Sequence, residues 1–325
     1  MNIVVLDGYP GNPGDLSWKG MEAIGNLTVY DRTLPAETVE RLRGAQMVLL
    51  NKAPLTREMI ERLPDLEYVG VLGTGYNMVD CAAAAERGIT VSNVPGYSSD
   101  HVAQLVFSLL LELCDHAALH DSAVKAGEWE NCPDFTFRKS PIVELAGLTL
   151  GIIGYGSIGR KVAGIARAFG MKVVASTRTP RPEEGVQFTT VEELLREADV
   201  VTLHCPLTSA NKGLINAERL SLMKPTAYLI NTARGPLIDE SALEAALRDH
   251  KIAGAGLDVI CHEPALPGSD FLRLPNIVVT PHIAWSSDAA RRRLMDISTA
   301  NARAWAEGHP VNVVAGPLSR SKQAV

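Results

Sequence analysis

Short apolar runs rich in β-branched residues recur along the chain between longer segments with helical periodicity. Such runs predict strands, and they occur at residues 3–6, 47–50, 68–71, 148–153, 173–175, 200–203, 228–230 and 277–280. Strands that alternate with helices over most of a chain form parallel sheets with helices on both faces. The pattern therefore predicts an α/β fold.

Two domains are expected because 325 residues exceed what a single hydrophobic core usually supports. Few segments have the composition of linkers, and the candidates are residues 93–96 and 281–287. If both are crossovers, residues 98–285 form one domain, while residues 1–97 and 286–325 together form a second, discontinuous domain. Only the tail after Ala315 is predicted to be disordered.

A long helix is predicted over residues 101–127, and an irregular segment with aromatic residues, 129–137, follows it. We interpret this segment as a dimer arm, because exposed aromatic side chains often mark contact surfaces; a loop packed on itself is the alternative. Glu112, His116 and His120 would lie at i, i+4 and i+8 on one helix face, a spacing that could hold zinc. A solvated or dimer-facing surface is favoured, and no metal is expected.

Charge and cysteine content narrow the class of protein. The net charge of −6 offers no basic surface, so neither a nucleic-acid partner nor a membrane is expected. The 5 cysteines form no CxxC pair and are odd in number, which favours free thiols in a reducing cytosol. The first residues lack the pattern of a signal peptide, and the most apolar stretch is too short to span a bilayer. A soluble cytoplasmic protein is therefore expected.

A glycine-rich loop follows the predicted strand at residues 148–153 and precedes a helical run at 160–169. Its residues are Gly154, Tyr155, Gly156, Ser157, Ile158 and Gly159. The first glycine permits a tight turn, the second lets the main chain approach a pyrophosphate, and the third allows close packing of helix on strand. Since a helix N-terminus also attracts phosphate, these residues predict a dinucleotide-binding loop.

The next predicted strand should end in an acidic residue that binds the adenosine ribose. Thr177 occupies that position and Arg178 follows it, while Glu183 and Glu184 lie too far along the chain to replace the acid. A small polar residue with an arginine suits a ribose 2′-phosphate, so NADP is favoured over NAD. Arg178 on a solvated turn, with no specific role, is the alternative.

Three stretches in the C-terminal half carry the candidate chemistry. They deliver Arg234 in Asn-Thr-Ala-Arg-Gly, Glu263 in Cys-His-Glu-Pro, and His282 in Thr-Pro-His-Ile. Arginine can hold a carboxylate with two parallel hydrogen bonds. Histidine can transfer a proton near neutral pH, and a neighbouring glutamate can keep it charged and oriented. Together these residues predict reduction of a 2-keto acid by a nicotinamide hydride.

At these residues the chain resembles the D-isomer-specific 2-hydroxyacid dehydrogenase family. The similarity extends over nearly the whole chain, from Val71-Leu-Gly-Thr-Gly-Tyr-Asn-Met-Val-Asp80 onward. Val94-Pro-Gly-Tyr-Ser-Ser-Asp-His-Val-Ala-Gln104 and Lys139-Ser-Pro-Ile-Val-Glu-Leu-Ala-Gly147 look most like the glycerate dehydrogenase, or hydroxypyruvate reductase, branch. The resemblance implies a Rossmann nucleotide-binding domain inserted into a flavodoxin-like substrate domain, with a site between the domains. With segment 129–137 interpreted as a dimer arm, a homodimer formed through the nucleotide-binding domain is expected.

The resemblance also implies individual roles. Arg234 would hold the substrate carboxylate, His282 would protonate the carbonyl oxygen, Glu263 would pair with His282, and Asp258 would meet the nicotinamide amide. Main-chain N–H groups near Thr74 and Gly75 would help to bind the carboxylate. The cofactor site would further be lined by Cys205, Pro206, Thr232 and Ala233. Lys52, which follows a strand of the outer domain, is a candidate for substrate choice because it could lie at the lip of the site.

Two alternatives to a hydroxypyruvate or glyoxylate reductase stay open. One is another enzyme of the same chemistry, acting on D-lactate or a different 2-hydroxy acid. The other is a dinucleotide-sensing corepressor, because the family resemblance extends to such proteins. The set Arg234, Glu263 and His282 favours an enzyme, and turnover with a nicotinamide cofactor would distinguish the two classes.

Overall fold

This computed structural model describes residues 1–317 of the chain. Its strands are β1 (Asn2–Val5), β2 (Asn26–Val29), β3 (Met47–Leu50), β4 (Tyr68–Val71), β5 (Thr90–Ser92), β6 (Thr149–Ile153), β7 (Lys172–Ser176), β8 (Gln187–Phe188), β9 (Val200–Leu203), β10 (Tyr228–Asn231), β11 (Gly254–Leu257), β12 (Ile277–Val279) and β13 (Val313–Ala315). Its α-helices are α1 (Lys19–Glu22), α2 (Thr38–Arg41), α3 (Arg57–Glu61), α4 (Cys81–Glu86), α5 (Ser99–Asp115), α6 (Ala117–Lys125), α7 (Ser157–Ala168), α8 (Val191–Glu197), α9 (Ala217–Leu220), α10 (Glu240–Arg248) and α11 (Asp288–Ala306). Most of the tail predicted to be disordered, residues 318–325, lies outside the described residues.

The chain divides into two compact units, and the first comprises Met1–Ser98 with the described residues from Ser286 onward. Its sheet has the strand order β13-β5-β4-β3-β1-β2. β1 to β5 are parallel and β13 runs antiparallel to β5. The parallel strands thus follow the 2-1-3-4-5 order of flavodoxin-like sheets. β3 and β4 are buried throughout, as expected for strands that helices cover on both faces.

The second unit, Ser99–Trp285, contains a seven-stranded parallel sheet in the order β12-β11-β10-β9-β6-β7-β8. Counted from β6, this is the Rossmann strand order, with β12 added at one edge. Helices α5 and α7 pack on one face with Leu109, Ile152 and Ile230, while α8 and α10 pack on the other with Leu194 and Leu247. The predicted α/β class, with one Rossmann and one flavodoxin-like sheet, is confirmed.

The predicted helix over residues 101–127 is wrong in one respect, because two helices replace it. α5 ends at Asp115, and His116 has a left-handed conformation with φ 50° before α6 begins. Glu112, His116 and His120 therefore do not share a continuous helix face. No group of three or more His, Cys, Asp or Glu side chains suited to a metal ion occurs among residues 1–317. Over the same residues, no single helix is long and apolar enough to cross a membrane, although the bent pair α5–α6 meets those criteria jointly.

Candidate active site

The glycine-rich loop begins directly at the end of β6, where the chain turns into α7. Gly154 has φ 100°, and a Cβ built on it would lie 2.5 Å from the main-chain nitrogen of Cys205. Both the left-handed conformation and this close approach require glycine. The loop therefore packs directly against the carboxyl end of the neighbouring strand β9.

The N-terminus of α7 fits a dinucleotide pyrophosphate. Gly156 is the N-cap residue and provides no side-chain cap, so main-chain N–H groups of the first turn are not engaged by a capping side chain. A Cβ built on Gly156 would meet no atom within 4 Å, so the space in front of this main chain is open. At Gly159 a Cβ would lie 2.5 Å from the Gly154 carbonyl oxygen, and its absence lets α7 approach the loop. Such a terminus binds phosphate well.

The segment after β7 carries the residues expected to distinguish NAD from NADP. Thr177 directly follows the strand, and Arg178 is exposed and makes no hydrogen bond or ion pair with another described residue. Glu183 returns to the nucleotide loop, where its carboxylate accepts a hydrogen bond from the Tyr155 hydroxyl at 2.7 Å and pairs with Arg160. Glu183 therefore lies beside the nucleotide loop despite its distance in sequence, and Arg160 balances its charge.

The carboxyl ends of β9 and β10 carry the other candidate cofactor residues. Asn231 pairs in register with Leu203, so the residues that follow these strands lie side by side. These residues are Cys205 and Pro206 after β9, and Thr232 and Ala233 after β10. Burial raises the pKa of the Cys205 thiol, which keeps the sulfur uncharged at neutral pH.

His204, between β9 and Cys205, is a partly buried histidine that sequence reasoning did not single out. Its Nε2 lies 2.9 Å from the Thr202 hydroxyl. Its Nδ1 and the hydroxyl of Thr232 are buried without a hydrogen-bond partner among the described residues. Burial lowers the pKa of His204 to about 3, because the charged imidazolium would lose its hydration. The ring is therefore neutral at physiological pH.

Arg234 is presented by a turn that Asn231 holds in place. The buried Asn231 side chain donates to the Arg234 carbonyl at 2.9 Å and accepts from the Ala233 N–H at 3.0 Å. Arg234 Nη1 donates to the Ala233 carbonyl at 2.7 Å, but the guanidinium forms no ion pair within the described chain. A half-buried arginine without an internal counter-ion suits an anionic ligand.

The turn of Arg234 supports the loop that carries Glu263. A Cβ built on Gly235 would lie 1.9 Å from the Ile260 carbonyl oxygen and 2.6 Å from the Cys261 nitrogen, so glycine is required for this contact. A few residues on, Glu240 accepts a hydrogen bond from the Cys261 N–H at 2.9 Å. Burial, reinforced by Glu240, raises the pKa of the Cys261 thiol to about 11. The thiol therefore adds no charge beside Glu263.

Glu263 and His282 are in direct contact, with Oε2 of Glu263 2.7 Å from Nδ1 of His282. A carboxylate can only accept, so Nδ1 carries the hydrogen of this bond. Nε2 makes no hydrogen bond to another described residue and is the ring position that can gain or lose a proton. His282 has φ 56°, a left-handed conformation that is uncommon outside glycine and that is found at functional sites.

Asp258, at the end of β11, holds the turn of His282. Its carboxylate accepts from the Thr280 hydroxyl at 2.6 Å and from the N–H groups of Ile283 and Ala284 at 2.8 and 2.9 Å. Its own carbonyl accepts from the His282 N–H at 2.9 Å. Burial raises the pKa of Asp258, and the hydrogen bonds from Thr280 and from the main chain oppose that effect.

The candidate substrate residues Thr74, Gly75 and Lys52 belong to the first unit. The Thr74 hydroxyl donates to the Val94 carbonyl at 2.8 Å, which fixes the turn. The main-chain N–H groups of Thr74 and Gly75 make no hydrogen bond to another described residue. They therefore remain available to an anionic ligand.

Asp7 fixes the main chain around Lys52. Its carboxylate accepts from the N–H groups of Asn51, Lys52 and Ala53 at 2.7, 2.5 and 2.8 Å. Burial raises the pKa of Asp7, and these three bonds oppose that effect. The exposed Lys52 side chain thus projects from a rigid segment at the carboxyl end of β3.

Asn231 and Glu240 in the second unit, and Asp7 in the first, hold segments that carry candidate site residues, although no sequence reasoning assigned them roles. Asn231 had a signal, because asparagine directly after a strand commonly shapes a turn. Glu240 and Asp7 had none, since their main-chain partners lie 21 and 44 positions away in the sequence. Only the fold brings those groups together.

Comparison with known proteins identifies similar chains over nearly the full length. The family model described as D-isomer specific 2-hydroxyacid dehydrogenase, NAD binding domain, matches residues 107–284. A hydroxypyruvate reductase of Blautia hydrogenotrophica is 45% identical over 320 residues, which cover 97% of this chain and 99% of that protein.

Solved structures show the same similarity in three dimensions. A D-lactate dehydrogenase from Aquifex aeolicus, complexed with NAD and lactic acid, superimposes with a TM-score of 0.86 at 30% identity over 98% of this chain and 100% of that one. An NADPH-dependent glyoxylate/hydroxypyruvate reductase from Sinorhizobium meliloti, in complex with NADP and malonate, gives a TM-score of 0.84 at 31% identity over 97% and 96% of the two chains.

Proposed function

Because this chain belongs to the D-isomer-specific 2-hydroxyacid dehydrogenase family, we propose that it reversibly reduces hydroxypyruvate or glyoxylate with a nicotinamide cofactor. It is an oxidoreductase that acts on CH–OH groups. The observation that carries the proposal is the 2.7 Å contact of His282 with Glu263, since a charged, oriented imidazole is the acid that such a reduction requires.

Arg234 binds the carboxylate of the keto acid. Its guanidinium forms no ion pair within the described chain and is held by the Nη1 hydrogen bond to the Ala233 carbonyl, so its other N–H groups can form two parallel hydrogen bonds with a carboxylate. The same cation stabilises the negative charge that develops on the carbonyl oxygen. We assign the N–H groups of Thr74 and Gly75 to the same carboxylate, and Lys52 to substrate choice.

His282 donates the proton. Nicotinamide, when bound, supplies the hydride. Nε2 of His282 gives its proton to the carbonyl oxygen while Nδ1 stays hydrogen-bonded to Glu263, which stabilises the imidazolium before transfer. In the reverse direction the same nitrogen removes the hydroxyl proton.

Asp258 combines two tasks in this scheme. Oδ1 already accepts two hydrogen bonds and Oδ2 accepts one. A carboxylate has about four acceptor positions, so Oδ2 can accept one more bond, from the carboxamide of nicotinamide. The residue that holds the His282 turn would then also orient the ring.

NADP(H) is the preferred cofactor in this proposal, and NAD(H) is the alternative. Thr177 stands where an acid would repel a ribose 2′-phosphate, and Arg178 is an exposed cation without a partner among the described residues. Pyrophosphate binding is assigned to residues 154–159, and the nicotinamide half to Cys205, Pro206, Thr232 and Ala233. Residues 98–285 would thus be the nucleotide-binding domain, and residues 1–97 and 286–325 the substrate domain.

A homodimer formed through the nucleotide-binding domain is part of the proposal. The segment 129–137 closes on itself, because Trp129 Nε1 donates to the Phe135 carbonyl at 3.1 Å, yet the Phe135 side chain is 89% exposed. Covering such a ring would favour association. We also propose a cytoplasmic location, supported by five cysteines that are all free.

The proposed function is tested by initial rates for NADH and NADPH, each combined with hydroxypyruvate, glyoxylate, pyruvate and a longer keto acid. We expect the highest kcat/KM with NADPH and either hydroxypyruvate or glyoxylate. Highest activity with pyruvate would make the protein a D-lactate dehydrogenase instead. Tight cofactor binding without turnover of any keto acid would favour the dinucleotide sensor.

A further inference from the structure

The loop from Asp258 to Glu263 is attached to the start of α10 by a side chain. Glu240 Oε2 accepts a hydrogen bond from the Cys261 N–H at 2.9 Å. The Cys261 thiol also lies 3.7 Å from the Ile238 carbonyl, and Gly235 lies directly against the Ile260 carbonyl. The segment 235–240 therefore supports the peptide between Ile260 and Cys261 from one side.

The adjacent peptide, between Val259 and Ile260, contacts the Glu263 carboxylate. The Ile260 N–H donates to Glu263 Oε1 at 3.3 Å, while Oε2 accepts from His282 Nδ1 at 2.7 Å. One carboxylate oxygen is thus bound to its own loop and the other to the histidine. A change at Cys261 would rotate the adjacent Ile260 peptide and move the carboxylate relative to the imidazole.

We infer that Glu240 is a positioning residue of this enzyme, which holds the 260–263 loop so that Glu263 stays in register with His282. The inference rests on the roles proposed above for Glu263 and His282. Glu240 touches neither substrate nor the reacting ring in this assignment. It acts through its hydrogen bond to the Cys261 N–H. The loop has to be held rigidly because one 2.7 Å hydrogen bond joins Glu263 to His282.

A purely structural role in α10 is the competing explanation. Glu240 lies in the first turn of α10, where a negative charge stabilises the helix through its dipole. The N-cap of that helix is Asp239, which accepts from the Ala242 N–H at 3.1 Å. Capping is therefore provided without Glu240, and the two explanations predict different results.

Two carboxylates on different segments lie beside His282. Glu263 contacts Nδ1 directly, and Asp258 holds the main chain of the turn. Loss of contact with Glu263 would leave the imidazolium less stabilised, so the protonated form would be lost at lower pH. The alkaline limb of the kcat/KM profile for keto-acid reduction would then move towards acid.

The test compares Glu240→Ala, Glu240→Gln and the control Glu244→Ala in the full-length chain. Glu244 lies on the same helix and pairs with Arg248. The measurement is kcat and KM for hydroxypyruvate reduction by NADPH as a function of pH, with the unfolding midpoint of each variant. We expect Glu240→Ala to lower kcat by about 10-fold, as small misplacements of catalytic groups do, and to move the alkaline limb of the profile to lower pH.

Two comparisons separate positioning from charge and from stability. Glu240→Gln keeps an oxygen that can accept from the Cys261 N–H, so it should restore the wild-type pH profile. Glu244→Ala should leave the profile unchanged. An unshifted alkaline limb in Glu240→Ala, or the same shift in Glu240→Gln, would overturn the inference.

Glu263→Gln distinguishes this inference from the proposed function. If Glu263→Gln shifts the alkaline limb and Glu240→Ala does not, the role of Glu240 is wrong and that of Glu263 stands. If Glu263→Gln leaves the alkaline limb unshifted, the roles assigned to Glu263 and to Glu240 are both wrong. If wild-type protein reduces no keto acid, the proposed function itself is contradicted.

Discussion

Gly235 joins the two loops that present Arg234 and Glu263. Any side chain there would meet the Ile260 carbonyl, since a Cβ would lie 1.9 Å from that oxygen. We therefore expect Gly235→Ala to force the loops apart, to lower kcat/KM by about 100-fold, and to lower the free energy of unfolding by at least about 2 kcal/mol. Steady-state kinetics and urea denaturation measure the two effects.

Gly164→Ala is the matched control for that substitution. Gly164 lies inside α7, and a Cβ built on it would meet nothing within 4 Å. Alanine is the better helix former by about 1 kcal/mol, so the control should be neutral or stabilising. Equal kinetics for Gly235→Ala and wild type would refute the assigned contact between the loops.

His204 should make the protein sensitive to acid. Its pKa is about 3 in the folded state against 6.5 for an ordinary histidine, so the unfolded chain binds a proton first. The contribution of the neutral His204 ring to the free energy of unfolding is fully present above pH 6.5 and is lost as pH falls towards 3. In that window the free energy of unfolding should fall by up to about 1.4 kcal/mol per pH unit more steeply in wild type than in His204→Asn.

Urea denaturation at a series of pH values between 7 and 4 measures these slopes. His309→Asn is the control, because His309 is exposed and should leave the slope unchanged. Parallel lines for wild type and His204→Asn would mean that the buried imidazole does not resist protonation.

At the scale of elements, the turn after β7 should control the cofactor preference. If Arg178 contacts the 2′-phosphate, Arg178→Ala should raise KM for NADPH by roughly 10-fold, equivalent to one charge-assisted hydrogen bond. KM for NADH should change little. Arg62→Ala, an exposed arginine of the first unit, is the control. Equal changes with both cofactors would show that Arg178 does not distinguish them.

The hydrophobic pattern predicted the buried strands β3, β4 and β9 well, because each is a short, mostly apolar run that contains valine. It missed β11, whose sequence is Gly-Ala-Gly-Leu. The reason is packing: a Cβ on Gly256 would lie 2.9 Å from Leu109 of α5, so a typical strand residue would not fit. The break between α5 and α6 was also missed, because histidine is only moderately enriched in the left-handed conformation and most histidines do not end a helix.

The same division applies to the candidate site. Motifs pointed to Arg234, Glu263 and His282 because each residue type is needed by the chemistry. The supporting roles of Asp7 and Glu240 could not be predicted. Their partners are main-chain N–H groups distant in sequence, which almost every residue type has. The residues that carry the chemistry could be identified from the sequence, whereas the contacts that hold them in position depend on the tertiary structure.

For the whole molecule, the exposed aromatic segment predicts the state of association. Phe135→Ser removes a ring that is 89% exposed and should convert the proposed dimer to monomer, or weaken it at least about 10-fold. Sedimentation velocity over a range of concentrations measures this. Leu34→Ser, at a 67% exposed position of the first unit, is the control. A wild-type monomer, or an unchanged Phe135→Ser dimer, would exclude this segment as the contact.

Whether the intact protein reduces a keto acid by proton donation from His282 is best decided by one comparison. The kcat for hydroxypyruvate reduction is measured for His282→Ala and for wild type, and the Kd of NADPH is determined for both. His309→Ala is the control. We predict a fall in kcat of about 100-fold to 10,000-fold, the usual contribution of a general acid, with Kd unchanged. Retained turnover in His282→Ala, or loss of cofactor binding alone, would show that His282 is not the proton donor.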